Sequence, residues 1–348
     1  MGLRRNGIVV AHWLALIAAP SASLAQNTGQ DVSAFYRGKQ VDIVVAAEAG
    51  TTYDTWSRLL ARYLPRYIPG EPTFTIRNMP GGGHIIAANH LYTVAAQDGS
   101  VIGTFSRNIV TSTVLKNPAI KFDVTKFQWL GSTDRPSRIC AVSPAAKVKS
   151  AADLFSVEAT MGGAGAGSSV SATPKLLASV AGMKFRVVEG YKGAMDLMLA
   201  IERGEVDGIC QTLTGVENAR PGWIASGKLR VLFNMEQTPI KILNAPTVYE
   251  FLKTDEQKRI VAFYNSNVEL GRPFLAPPNA PADRVAALRK AFDAAFKDPE
   301  LIKEAESQKL EMTPFDAAEV DKRVRALVAT PQSVIDETLK LLGTTSLE

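Results

Sequence analysis

A chain of 348 residues, 46% hydrophobic and 21% charged, is long enough to bury a large core and to make two domains. Its 39 Lys and Arg exceed its 34 Asp and Glu only slightly, and the cations are scattered. Without a basic stripe or stacking aromatics, nucleic-acid binding is not expected. Two cysteines and three histidines leave little material for metal or nucleophile chemistry.

In chain order, Arg4 and Arg5 precede an apolar run, Ile8 to Ala19, that ends in Ser23-Leu24-Ala25. This pattern predicts a signal peptide over residues 1–25, because the run is too short to span a bilayer. Cleavage would remove two of the cations and leave 37 − 34 = +3, with His84 and His90 the remaining histidines.

From residue 40 onward, strands and helices alternate. "QVDIVVAAE" (40–48) reads as a buried strand and "YDTWSRLLARYLPRY" (53–67) as an amphipathic helix. "TFTIRNM" (73–79) reads as a second strand, followed by the turn "PGGG" and a helix. "SVIGTFS" (100–106) follows a turn at Asp98-Gly99. A second set comprises strands 138–143, 159–165, 185–190 and 206–210, with helices 174–183 and 194–204. A strand at 228–235, Pro-rich connections and helices at 281–298 and 316–343 follow, the last broken at Pro331. Repeated βα units predict an α/β protein with mainly parallel sheets flanked by helices.

No HExxH, CxxC, EF-hand, GxSxG or Walker spacing occurs, so neither a metal nor a cofactor is expected. "GGAGAGSS" admits a dinucleotide reading, with Gly163, Gly165 and Ser168 around a pyrophosphate and Glu189 on a ribose. It lies mid-chain, however, and no dinucleotide-binding half precedes it.

The order of fragments resembles the periplasmic receptors of the tripartite tricarboxylate transporter family, over nearly the whole mature length. The fragments are "GTTYD", "RNMPGGG", "DG", "GGAGAGSS", "EGYKGAMDLMLAIERGEVDG", "GKLRVL", "APTVYEFL" and "FLAPPNAPADRVAALRKAFDAAFKDPEL". The chain departs from the family at Ala46-Ala47, where Pro-Phe is common, and at Thr51, Thr52 and the acidic Glu48. The resemblance implies two lobes joined by two crossover strands near Leu130–Thr133 and Leu232–Glu236. One lobe takes residues 26–131 and 236–348, the other 132–235. It also implies a monomeric periplasmic binding protein, not an enzyme, that delivers a small organic carboxylate to membrane components of a secondary transporter. A secreted α/β enzyme acting on a small acid is the alternative.

Ligands of such sheets sit beyond the carboxyl ends of the strands. The first candidate loop is Ala47, Glu48, Gly50, Thr51, Thr52, Tyr53 and Asp54. If Asp54 or Thr52 caps the helix, the N–H groups of Gly50 to Tyr53 are free to hold a carboxylate. Pro80, Gly81 and Gly82 form a turn suited to close backbone approach. Ser106 and Arg107 follow the third strand, and Arg107 can pair a carboxylate. From the second lobe come Gly167, Ser168, Ser169 and Tyr191, with Lys192 a weaker candidate. Pro174 argues against a helix starting as early as Ser168. The family topology would set Cys140 beside Cys210. Export permits a disulfide, yet the demands of cross-strand geometry make two buried thiols the expected state.

Overall fold

The structure, a computed structural model, describes residues 1–2, 32–164 and 168–343. The expected leader therefore lies almost wholly outside the described residues, and so does Gly167.

Two sheets organise the chain. The first has the order β11-β4-β10-β3-β1-β2, from β1 (Gln40–Val45), β2 (Thr73–Asn78), β3 (Val101–Thr104), β4 (Gln128–Ser132), β10 (Pro273–Ala276) and β11 (Phe315–Asp316). The second has the order β7-β6-β8-β5-β9, from β5 (Arg138–Val142), β6 (Ala159–Gly162), β7 (Phe185–Val188), β8 (Gly208–Thr212) and β9 (Arg230–Asn234). In the first sheet β1 is parallel to β2 and β3, whereas β10 lies antiparallel between β3 and β4 and β11 pairs antiparallel with β4. In the second, β6 is parallel to β7 and β8, while β5 runs against both β8 and β9. Both sheets are thus mixed rather than mainly parallel. Two of the reversed strands, β5 and β10, are those by which the chain enters the second sheet and returns to the first, and no βα unit fixes their direction; the third, β11, is a two-residue edge strand.

The helices among the described residues include α1 (Thr52–Tyr63), α2 (Ile85–Thr93), α3 (Asn108–Val114), α4 (Ser169–Ala181), α5 (Ala194–Glu202), α6 (Leu213–Ala219), α7 (Asp255–Glu269), α8 (Ala282–Ala295), α9 (Pro299–Ser307), α10 (Ala317–Val328) and α11 (Gln332–Leu342). The strand residues Val41, Ile43 and Val45 and the α1 residues Trp56, Leu59 and Leu60 share one core with Leu288 and Phe292 of α8. Burying such side chains supplies roughly 1.5–3 kcal/mol each, which sets the first sheet firmly under its helices. Helix α11 packs on α7 and α4, so the end of the chain also touches the second sheet's helices.

The expected break at Pro331 is present, between α10 and α11. The helix expected over 281–298 stops at Ala295, and Asp298 caps the separate α9. Helix α4 starts at Ser169, not Pro174. Ser168 caps it, and Pro174 lies inside the helix; the Thr173 hydroxyl donates to the Ser169 carbonyl at 2.7 Å. Helix α7 and strand β10 arise from the stretch that reads as Pro-rich connections. The expectation of two thiols is overturned. Cys140 and Cys210 face each other across β5 and β8, with Cα atoms 4.1 Å apart, and form a disulfide. Direct cross-strand opposition removes the geometric obstacle.

Candidate functional site

Strand polarity brings the candidate loops together. The carboxyl ends of β1, β2, β3 and β4 lie on one side of the first sheet, with β10 entering beside them. Those of β6, β7 and β8 lie at the end of the second sheet where Arg138 opens β5, opposite Thr212. The chain crosses between the sheets through residues 133–137 and again just after Asn234.

The first loop is held from within. Asp54 is almost fully buried and accepts from Arg58 Nε at 2.8 Å and Nη2 at 3.0 Å, from the Gly50 N–H at 2.9 Å and from Asn78 Nδ2 at 3.0 Å. Asn78 also donates to the Ala47 carbonyl at 2.9 Å, so β2 ties down the end of β1. Burial works to raise the Asp54 pKa, but the bonds from Arg58, Gly50 and Asn78 outweigh it and hold the carboxyl below its usual range.

This arrangement corrects three expectations. Thr51, not Thr52 or Asp54, caps α1. The Gly50 N–H is taken by Asp54, and the Thr51 N–H points back to the Glu48 carbonyl at 3.4 Å. Asp54 faces inward as the loop's anchor rather than toward a ligand. What is left at the positive end of α1 is the pair of N–H groups of Thr52 and Tyr53, which have no partner among the described residues. Ala47 is buried, and the Glu48 side chain is exposed.

Pro80, Gly81 and Gly82 are exposed, and residues 81 to 84 all have positive φ, His84 included at 76°. The imidazole holds this turn in place: Nδ1 accepts from the Ser106 N–H at 3.0 Å, and the ring stands edge-on to Tyr53 at 5.6 Å. Burial lowers the His84 pKa, which suits a ring that accepts at Nδ1. Ser106 and Arg107 lead into α3, and the Arg107 guanidinium has no ion pair among the described residues.

Four residues that sequence reasoning missed complete the site. Arg272, just before β10, lies over the Tyr53 ring at 5.7 Å and pairs with the fully buried Asp134 of the first crossing. Glu311, from the segment leading into β11, accepts a hydrogen bond from the Thr214 hydroxyl of α6, on the second sheet's side. No motif announces them. The one available signal was that Asp134 directly follows Leu130–Thr133, a segment expected to cross between lobes.

The second-sheet candidates are less involved with this cluster. Ser168 caps α4 and Ser169 opens it. Glu189, the acid of the dinucleotide reading, is engaged by the Ser171 hydroxyl at 2.7 Å and Lys175 at 2.6 Å. The Tyr191 hydroxyl donates to Glu205 at 3.4 Å instead of meeting the first-sheet loops, and the Lys192 side chain is exposed.

A separate cavity of about 450 Å3 opens beside α7 and α10, lined by Arg135, Glu269, Arg323 and neighbours. Beneath it Arg135 pairs with Glu236 at 3.2 Å, linking the two crossings.

The family description "Tripartite tricarboxylate transporter family receptor" matches residues 69–339. The chain belongs to this receptor family. Its structure is similar to a TctC solute-binding protein from Polaromonas, with TM-score 0.68 and 18% identity over 87% of this chain and 99% of that one. It is also similar to the periplasmic binding protein BugD (TM-score 0.51, 20% identity, 89% and 99% covered) and to R. palustris Rpa4515 with adipate (0.52, 21%, 88% and 97%). Curated proteins offer no match. The receptor is therefore a two-lobed α/β solute-binding protein of a periplasmic family, and the enzyme alternative is not favoured. Among the described residues no helix is long and apolar enough to cross a membrane.

Proposed function

We propose that this receptor is a monomer that captures a small organic carboxylate between its two lobes and hands it to the membrane components of its transporter without chemical change. The observation that carries this reading is the pair of unpartnered N–H groups of Thr52 and Tyr53 at the start of α1, with Arg107 and Arg272 on the same side of the first sheet. A helix start of this kind binds a carboxylate through main-chain donors, and the nearby guanidiniums favour the anion. The adipate held by the R. palustris neighbour is a ligand of the same class. We further propose a cleaved leader over residues 1–25 that places the receptor in the periplasm. Sheet membership supports lobes of 26–131 with 236–348, and 132–235, with α11 reaching across to α4.

The test is isothermal titration against a panel of mono- and dicarboxylates, with each acid assayed for turnover over hours. Binding without turnover supports the proposal; binding of none of them, or conversion of any, refutes it. Tyr53→Pro, which removes one of the two donors, should weaken binding far more than Glu48→Gln.

A further inference from the structure

The charges around the candidate site are balanced in an unusual way. Arg107 from the end of β3 and Arg272 from the start of β10 are set against Asp134 from the first crossing and Glu311 from the segment before β11. Glu311 feels all three of the others. That segment is fixed to the crossing by the Arg135 N–H, which donates to the Thr313 hydroxyl at 2.7 Å. This bond restrains the segment beside the crossing. From this fixed position the Glu311 carboxylate reaches the Thr214 hydroxyl of the opposite lobe. Asp134 is committed to Arg272 and is wholly buried. Glu311 is partly exposed, with a single hydroxyl as its hydrogen-bond partner among the described residues, so it is the carboxylate left to face whatever enters between the lobes.

We propose that Glu311 selects the charge of the ligand: it favours an acid with one carboxylate and a neutral polar tail, and it takes up a proton when a dicarboxylate binds instead. This rests on the carboxylate reading of the site given above. A first ligand carboxylate at the start of α1 gains from the helix end and the two guanidiniums. A second carboxylate extending toward α6 meets Glu311, and two carboxylates sharing a site cannot both stay ionised cheaply. A hydroxyl or amide tail meets no such opposition and can donate to the same oxygens.

The local chemistry already leans this way. Burial pushes the Glu311 carboxyl above its usual range and Asp134 adds to the push, while the Thr214 hydroxyl, Arg272 and Arg107 pull it back. The proton taken up is supplied by the buffered solvent, whose acid form gives it up. The protonated carboxyl then donates to the ligand's second carboxylate, so the group that repelled becomes the group that binds. Lowering the pH should therefore tighten dicarboxylates and leave monocarboxylates nearly unchanged.

The experiment titrates wild type, Glu311→Gln and Thr214→Val with succinate and with 4-hydroxybutyrate at pH 6.5 and pH 8. Each titration is run in two buffers of different ionisation heat. The ligand's own titration is common to all three proteins and cancels in the comparison. Wild type should prefer 4-hydroxybutyrate at pH 8, lose most of that preference at pH 6.5, and take up protons only with succinate. Glu311→Gln should bind succinate about tenfold more tightly than wild type at pH 8, with no proton uptake. Thr214→Val, which removes the hydroxyl that steadies the ionised form, should increase the proton uptake. Carboxylate binding with the same pH dependence in wild type and Glu311→Gln would overturn the role of Glu311 while leaving the receptor reading intact. Failure of both acids and of the wider panel to bind would overturn both. Should Glu311→Gln not fold, unchanged proton uptake in Thr214→Val is sufficient to reject the idea.

Discussion

Asp134 and Arg135 are consecutive in the first crossing, yet they build two different joints. Asp134 is wholly buried and meets Arg272 at the ends of the first sheet, next to Tyr53 and the start of α1. It also accepts from the Thr133 hydroxyl at 3.0 Å. Arg135 turns to the second crossing, where it holds Glu236 at 3.2 Å under α7. Glu236 is 3% exposed, and its Oε1 has no partner among the described residues. Burial and the nearby Glu269 drive its pKa up to about 7, against the opposing pull of Arg135, Arg323 and a bond from Ser137. Adjacent residues thus make one joint in which the acid belongs to the crossing and is buried with its base, and one in which a bare oxygen beside a second acid makes the joint sensitive to protons.

The largest expected effect breaks the first joint. Asp134→Ala strands a mostly buried guanidinium and should cost about 3–5 kcal/mol in chemical denaturation, at every pH tested. A loss under 1 kcal/mol would show that Arg272 finds another partner, and the joint would not be structural.

The second joint should respond to pH instead. Folded Glu236 holds its proton up to about 7, against 4.5 for a free glutamate, so the folded state binds protons more tightly than the unfolded chain. The stability this confers is complete below pH 4.5 and is lost as pH rises through 7, by about 3 kcal/mol. An amide has no such loss. Glu236→Gln should gain on wild type steadily between pH 4.5 and pH 8, by about that amount; parallel stability curves would remove Glu236 as the source.

Arg135→Ala should show the same dependence in smaller form. At pH 8 it leaves an ionised Glu236 without its base, yet solvent already reaches Arg135, which keeps the cost to about 1 kcal/mol. Below pH 5 the protonated Glu236 needs no base, and the cost should disappear. A deficit independent of pH would mean that Arg135 acts by packing alone. Smallest of all, and outside both joints, Thr51→Ala removes the α1 cap and should cost about 1 kcal/mol with no pH dependence. It serves as the control.

What was legible in the sequence, and what was not, divides by distance along the chain. The βα alternation, the break at Pro331 and the grouping of Gly-rich loops at strand ends all follow from local patterns of a few residues. Local patterns also misled. "GTTYD" contains three plausible caps, and only the fold decides that Thr51 caps while Asp54 turns inward to Arg58 and Asn78. Arg272 and Asp134 are 138 positions apart, and Thr214 and Glu311 are 97 apart. No periodicity connects such residues, and each sits in a segment whose composition reads as a connection. Cys140 and Cys210 were identified as neighbours through topology, but their direct opposition depends on the register of β5 on β8, which composition does not encode.

The position of β10 has a consequence in time. It fills the gap between β3 and β4 in the first sheet, yet it is made about 140 residues after β4, once every strand of the second sheet has been synthesised. A chain emerging from its amino end can pair β1 with β2 and β3 early, but β3 keeps an open edge until residues 273–276 arrive. The second sheet and its disulfide can be complete by then. Assembly is therefore last at the sheet that comes first in sequence, and for that interval the nascent protein presents an unpaired strand to its surroundings. A pause or truncation before residue 273 should leave an aggregation-prone fragment rather than half of a working receptor.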